Sequence, residues 1–385
     1  MTQKMMRPMM AAALAIVPAL AAAQPQPGAQ PAPQTISVER SRVLGTAGVV
    51  QVVDMPLHPL IQGPGRVFRQ PVSAANTTRF RLRFRIDEQP AQPTWHVEIS
   101  TAAGQRWAYS PSSADVKEFW SDEIKGTSAE VQVHSADPQP ALKLVIDRVV
   151  KATPVTRPQS ITLPDQREPY RTKGEPIRTL GRSVVRLQFV DDDEKKVFVC
   201  TGFLAFTNRH LLTNDHCINS EAEMRSALAD VDFDGGTSTP RSVRFSKLLM
   251  SDGPLDFSLL ELTEPLDRGV LILGAAPAAN ADLVIIQHPA GETKQVSILD
   301  CKVDDESVSG TTNDETDFEH RCDTLGGSSG SPLFDAKTFK VVGLHHLGFN
   351  PLNKPVNRAV QMKLVIAKIN EKFPALVKPS GGTQP

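Results

Sequence analysis

Between Ile36 and Val150 the chain alternates between apolar and polar residues with a period of two, interrupted by polar turns. Arg79–Ile86 (RFRLRFRI) is the cleanest case: Phe80, Leu82, Phe84 and Ile86 fall on one face and arginines on the other. Trp95–Ile99 and Ala129–Val133 repeat the pattern, Ala141–Ile146 closes the set, and Gly104 and the Asp137-Pro138 pair read as turns. Alternation of this kind predicts strands with one buried face, and the run of them predicts a β-sandwich of jelly-roll type over residues 36–150.

A second set of strands begins at Arg182. Ser183–Val190, Lys196–Phe206, His210–Thr213, Asp256–Leu262, Ala281–Gln287, Val296–Val303 and Lys340–His345 are short and rich in β-branched residues. Val360–Phe373 is the one segment with clear helical spacing, with Met362, Val365, Ile366, Ile369 and Phe373 on one face and Lys363, Lys368 and Lys372 on the other. Many short strands followed by one helix predict two packed β-barrels closed by that helix.

Between the two sets, residues 151–178 are rich in Pro, Arg and Gln. They read as a linker or a surface crossing rather than part of a sheet. The remaining divisions are a signal peptide over 1–23, a Pro/Gln-rich spacer over 24–35 and a flexible tail over 376–385. The signal reading rests on Lys4 and Arg7 before the apolar run Met9–Leu20 and on Ala21-Ala22-Ala23 as a cleavage site. It predicts export, to the periplasm or beyond, without membrane attachment after cleavage.

Composition narrows the function classes. The chain has 385 residues and a formal net charge of −1 with both signs mixed, which points away from nucleic acid and anionic membranes. Four cysteines, Cys200, Cys217, Cys301 and Cys322, are an even number suited to an oxidising compartment. All three tryptophans, Trp95, Trp107 and Trp120, fall in the first set of strands. They read as sandwich core in preference to a carbohydrate-binding platform.

The candidate chemistry lies in the second set. Ser329 sits among Gly326, Gly327 and Gly330, which can hold its hydroxyl on a tight turn and aim backbone N–H groups at whatever it attacks. His216 follows an apolar strand. Asp256 opens the apolar run Phe257–Leu260, and a carboxylate carried inward there needs a donor such as an imidazole N–H.

These residues resemble the chymotrypsin-like serine peptidases. Thr213-Asn214-Asp215-His216-Cys217 is similar to the family's T-A-A-H-C segment, Asp256–Leu260 to D-I-A-L-L, and Gly327–Pro332 to G-D-S-G-G-P or the bacterial G-N-S-G-S-P. The resemblance spans roughly residues 180–373 and implies, for 179–375, an all-β fold of two six-stranded barrels. It implies Ser329 as nucleophile, His216 as base, Asp256 as its orienting carboxylate, and the N–H groups of Gly327 and Ser329 as oxyanion hole. It further implies a Cys200–Cys217 disulfide and, with it, Cys301 paired to Cys322. The substrate would be a protein or peptide, with no cofactor and no metal. Ser328 departs from the family's common aspartate before the nucleophile, so the animal-type zymogen switch is not implied. An α/β-hydrolase elbow would need Gly at 331, where this chain has Ser. A zinc site at His210, His216 and Cys217 lacks a fourth ligand at a usual spacing.

More narrowly, Val342-Gly343-Leu344-His345 resembles the V-I-G-I-H of bacterial glutamyl endopeptidases, and Thr324 stands five residues before Ser329 as it does there. That branch implies Thr324 and His345 as binders of an acidic P1 side chain. Asp323 argues the other way, since trypsin carries its Lys/Arg-binding carboxylate six residues before the nucleophile. His346 reads as exposed or packing. Ile161–Arg167 resembles the mature start of that branch, so cleavage near Ser160 is one expectation and a permanent two-domain protein the other. A non-catalytic protein binding through its sandwich is the reading from another class.

Overall fold

The computed structural model describes residues 45–57, 67–135, 141–156, 159–161, 164–193, 195–236, 240–310, 314–348 and 356–377. The expected signal peptide and spacer lie outside the described residues, as does the tail beyond Val377.

Two barrels carry the second half of the chain. In the first, Val184–Asp191 pairs with Lys196–Leu204 and with Leu228–Val231, and Leu228–Val231 pairs with Arg241–Val243. On the other side Lys196–Leu204 pairs with His210–Thr213, which pairs with Phe257–Leu262, which pairs with Phe245–Asp252. The two ends of this path, Arg241–Val243 and Phe245–Asp252, follow one another in sequence across Arg244, so the ring closes. The second barrel runs Gln295–Ser297, Leu283–Gln287, Pro332–Asp335, Val341–Leu347, Asn357–Gln361, Asp317–His320 and Val303–Val308. Glu168–Pro169 extends this path beyond Gln295–Ser297, and a bridge between Asp282 and Lys302 brings the other end back towards Leu283–Gln287. Closure removes free edges, which is what lets so many short strands hold together.

One apolar cluster bridges the barrels: Phe203, Leu212, Phe257 and Leu259 from the first meet Val284, Phe334, Leu344 and Val360 from the second. The helix Met362–Lys372 presses Met362, Val365 and Ile369 into that cluster, the face its spacing foretold. Val360 and Gln361, expected at its start, instead end the strand Asn357–Gln361. The fold is all-β of trypsin-like type.

Upstream, two sheets enclose a separate core. Val67–Ser73, Ser128–Ser135, Trp95–Ser100 and Arg106–Tyr109 make one. Gly45–Leu57, Lys143–Thr156, Arg79–Glu88 and Glu118–Trp120 make the facing one. Phe80, Leu82, Phe84 and Ile86 are buried between them with Trp95, Val97, Val131 and Val133.

The expectation of a 151–178 linker outside any sheet is overturned. Lys143–Thr156 continues past residue 150 as a partner of Gly45–Leu57, with Lys151 opposite Val49. Gln159–Ser160 pairs with Thr324–Leu325, and Glu168–Pro169 pairs with Gln295–Ser297. Tyr170, Ile177 and Leu180 then enter the inter-barrel cluster. Proline suggested a break, but Pro169 sits at a sheet edge, where a missing N–H costs little.

The two halves are also one sheet. Gly45 and Thr46 pair with Val199 and Phe198, so the strand Lys196–Leu204 hands half of one edge to the upstream sheet. Behind this pairing Val50, Trp120 and Val150 pack on Val190 and Val197. Trp120 therefore anchors the junction, with Arg81 and Arg83 over its ring, while Trp95 is buried and Trp107 half-buried in the upstream core. The arginine face of Arg79–Glu88 is accordingly covered at its middle, where Arg81 is 3% exposed, while Arg85 stays exposed.

Candidate functional site

The loop bearing Ser329 is built from pinned carbonyls. Gly326 O accepts from Ala290 N at 2.7 Å and Ser328 O from Ser331 N at 3.0 Å. Because each peptide is planar and trans, an N–H points away from the carbonyl of the same unit. The N–H groups of Gly327 and Ser329 are thus turned away from these anchors, and among the described residues neither donates a hydrogen bond. Those of Ser328, Gly330 and Ser331 are all used internally. Thr201, on a barrel-one strand, fastens the loop through its N–H to Ser329 O (2.8 Å) and its hydroxyl to Gly327 O (2.9 Å).

Two glycines are required here. Gly327 has φ 104° and Gly330 φ 84°. A Cβ at Gly330 would lie 2.1 Å from Thr201 O and 2.4 Å from Thr213 Oγ1. Ser328 is fully buried and its hydroxyl accepts from Leu325 N at 3.2 Å, closing the turn from inside.

His216 and Asp256 meet across barrel one. Asp256 Oδ2 lies 2.7 Å from His216 Nδ1 and Oδ1 accepts the His216 backbone N–H at 2.9 Å, so ring and backbone are held by one carboxylate. Asn214 Nδ2 donates to Asp256 O at 2.8 Å and fixes the carboxylate's own backbone, which sits at φ 44°. Burial works to raise the Asp256 pKa, but the charge and hydrogen bonds of His216 and His346 outweigh it and hold the carboxyl well below the usual range. His216 Nε2 is buried and, among the described residues, has no hydrogen-bond partner, the Ser329 hydroxyl included. A ring fixed at Nδ1 with Nε2 unengaged suits an incoming proton, and resting sites often tighten this contact only with substrate bound.

The disulfides are Cys200–Cys217 and Cys301–Cys322, with S–S 2.02 and 2.01 Å. Cys217 follows His216 directly, so the first bridge ties that turn to the strand carrying Thr201. Among the described residues no group of three or more His, Cys, Asp or Glu side chains is arranged so that it could hold a metal ion.

The residues expected to line a substrate pocket are less simply arranged. The Asp323 carboxylate accepts the backbone N–H of Gln166 at 2.8 Å, a donor from the crossing segment, and Asp323 is 4% exposed. Thr324 is buried and its backbone pairs with Ser160. His345 is buried with Nδ1 3.1 Å from His320 Nε2. Burial and neighbouring imidazoles drive both rings neutral, His345 well below its ordinary pKa and His320 to about 3.

His346 is neither exposed nor simple packing. Its ring is 1% exposed, with Nδ1 3.0 Å from Asp256 Oδ2 and Nε2 2.7 Å from Asp317 Oδ2. The expectation failed because alternation turns His346 away from the His345 face, and both faces of Val341–Leu347 are covered. Thr201, His320 and Asp317 gave no sequence signal either. Each matters only through a partner on a distant strand.

Residues 200–344 match the family model described as "Trypsin-like peptidase domain". Among curated proteins it is 32% identical over 181 residues to "Secreted RxLR effector protein 73" of Plasmopara viticola, covering 42% of this chain and 44% of that protein. It is 30% identical over 168 residues to "Uncharacterized protein y4fB" of Sinorhizobium fredii, covering 38% and 25%. The chain spans less than half the length of either relative. Among solved structures it is similar to the active form of the Rv3671c protease of M. tuberculosis (TM-score 0.41, 19% identity, 57% of this chain and 89% of that one). It is also similar to Deg5 (TM-score 0.39, 18% identity, 51% and 92%).

Proposed function

We propose that the protein is an exported serine endopeptidase in which Ser329 attacks the peptide carbonyl and His216 takes its proton. Asp256 orients and stabilises the imidazolium, and the N–H groups of Gly327 and Ser329 receive the oxyanion. The observation that carries this reading is the doubly held His216 next to Cys217, whose Sγ lies 4.0 Å from Ser329 O in a loop where the Gly327 and Ser329 N–H groups donate to nothing among the described residues. No leaving-group chemistry here calls for a cofactor. Export is supported by the amino-terminal pattern and the two disulfides, and one relative is named as secreted.

An acidic P1 residue is the favoured substrate. The Asp323 carboxylate is occupied by the Gln166 N–H, which leaves it a poor partner for a Lys or Arg side chain, and Thr324 and His345 take the binding roles. The upstream sheets are a permanent part of the enzyme. A cut near Ser160 would leave Gly45–Leu57 paired to Lys196–Leu204, so the amino-terminal part would stay bound.

Ser329→Ala against the parent protein, on casein and an unbiased peptide library, tests the whole reading. Removal of the nucleophile is expected to cost about 10⁵-fold or more in kcat/KM. Equal activity would reject the mechanism, and cleavage after Lys or Arg would transfer the pocket to Asp323. Intact mass of active secreted material beginning near Ile161, with no upstream fragment bound, would overturn the permanent role of the sheets.

A further inference from the structure

We propose that Asp256, His346 and Asp317 form a three-group charge unit behind His216, in which His346 and Asp317 are positioning residues for the base. The proposal rests on the reading of His216 as the base that Asp256 orients.

Both ring nitrogens of His346 lie within hydrogen-bond distance of a carboxylate oxygen, Nδ1 at 3.0 Å from Asp256 and Nε2 at 2.7 Å from Asp317. An ionised carboxylate only accepts, so both nitrogens must carry hydrogen and the ring is an imidazolium. Burial alone would expel that charge, but Asp317 and Asp256 outweigh burial and raise the His346 pKa to about 10. The unit therefore reads minus, plus, minus: two carboxylates and one cation, with a net charge of one negative. That is the charge a lone aspartate would present to His216.

The arrangement has two consequences for the base. Asp256 Oδ2 accepts from His216 Nδ1 and His346 Nδ1 together, which fixes the carboxylate against rotation from two sides. His346 also draws on the negative charge that Asp256 offers to His216, and Asp317 on the far side restores it. The titratable groups facing the cation are Asp256, Asp317, His216, His320 and His345, with Asp215 beyond Asp256. The cation also helps keep His320 and His345 neutral.

The charge count gives opposite signs for two substitutions. His346→Gln removes the cation and leaves two carboxylates behind His216, so the imidazolium form is favoured and the acid limb of kcat/KM moves to higher pH. Asp317→Asn removes a negative charge, so the limb moves to lower pH. Shifts of about one pH unit are expected from charges this close and this buried. The double variant restores one net negative charge and returns the limb to near its original place.

The experiment is a pH titration of the His216 ring by NMR on the full chain, beside the acid limb on a peptide substrate. Folded protein is counted by melting temperature and by fluorophosphonate labelling of Ser329. Opposite shifts that cancel in the double variant support the unit. Lower kcat or lower melting temperature with an unmoved His216 titration overturns it. Should His346→Gln not fold, the near-isosteric Asp317→Asn decides alone by the sign of its shift. Because NMR reads His216 without turnover, opposite shifts in a protein that hydrolyses nothing would keep the unit and remove the peptidase reading.

Discussion

Trp95–Ser100 upstream and Val184–Asp191 in the first barrel are both regular antiparallel strands, yet they are buried differently. Burial alternates along the first, with Trp95, Val97 and Ile99 inside and their neighbours half-buried. All eight positions of the second are buried, Arg186, Gln188 and Asp191 among them. The barrel strand must therefore satisfy polar groups internally. Arg186 bonds Asp230 at 2.7 and 2.9 Å and Gln188 reaches the same carboxylate at 2.9 Å. Buried polar groups are costly unless paired and stay where they are put once paired. The barrels can hold chemistry for this reason, whereas the core between the two upstream sheets is built on apolar contact.

The largest way to break this contrast is in the loop itself. Gly330→Ala places a methyl group 2.1 Å from Thr201 O at φ 84°. A loss of about 4 kcal/mol or more is expected, with fluorophosphonate labelling abolished. Melting temperature and labelling near those of the parent would show that the polar loop is more yielding than its hydrogen bonds indicate.

Trp120→Ala probes the apolar junction at a lower expected cost, about 3–5 kcal/mol. Hydrogen exchange should show Gly45–Leu57 and Lys143–Thr156 losing protection while the barrels keep theirs, with Ser329 labelling intact in the remaining folded protein. Equal loss in both regions would mean that the joined sheet unfolds as one unit. The smallest effect is expected at Ser220, whose hydroxyl caps Glu221–Ser226 in a reciprocal pair with Glu223. Ser220→Ala should cost about 1 kcal/mol, read as a small fall in melting temperature with unchanged kcat/KM.

Local pattern carried much of this molecule. The alternation at Phe80–Ile86 named a core face that the structure buries, and the helix face of Met362, Val365 and Ile369 was equally readable. The short capped helix Glu221–Ser226 escaped notice although Ser220 and Glu223 stand three apart, because six residues make too little periodicity to register. The linker reading failed since proline content reports what a segment cannot do in a sheet interior, not whether it reaches an edge.

By itself the sequence determined the strand-rich class and the cysteine set and singled out His216, Asp256 and Ser329 as candidates, because periodicity, composition and short motifs are local and survive without coordinates. Tertiary structure alone decided three things. It joined the upstream sheet to Lys196–Leu204, turned Asp323 onto the Gln166 N–H, and closed His346 between Asp256 and Asp317. Each depends on partners far apart in the chain, and a hydrogen bond or a buried charge is defined by its partner rather than by its neighbours in sequence.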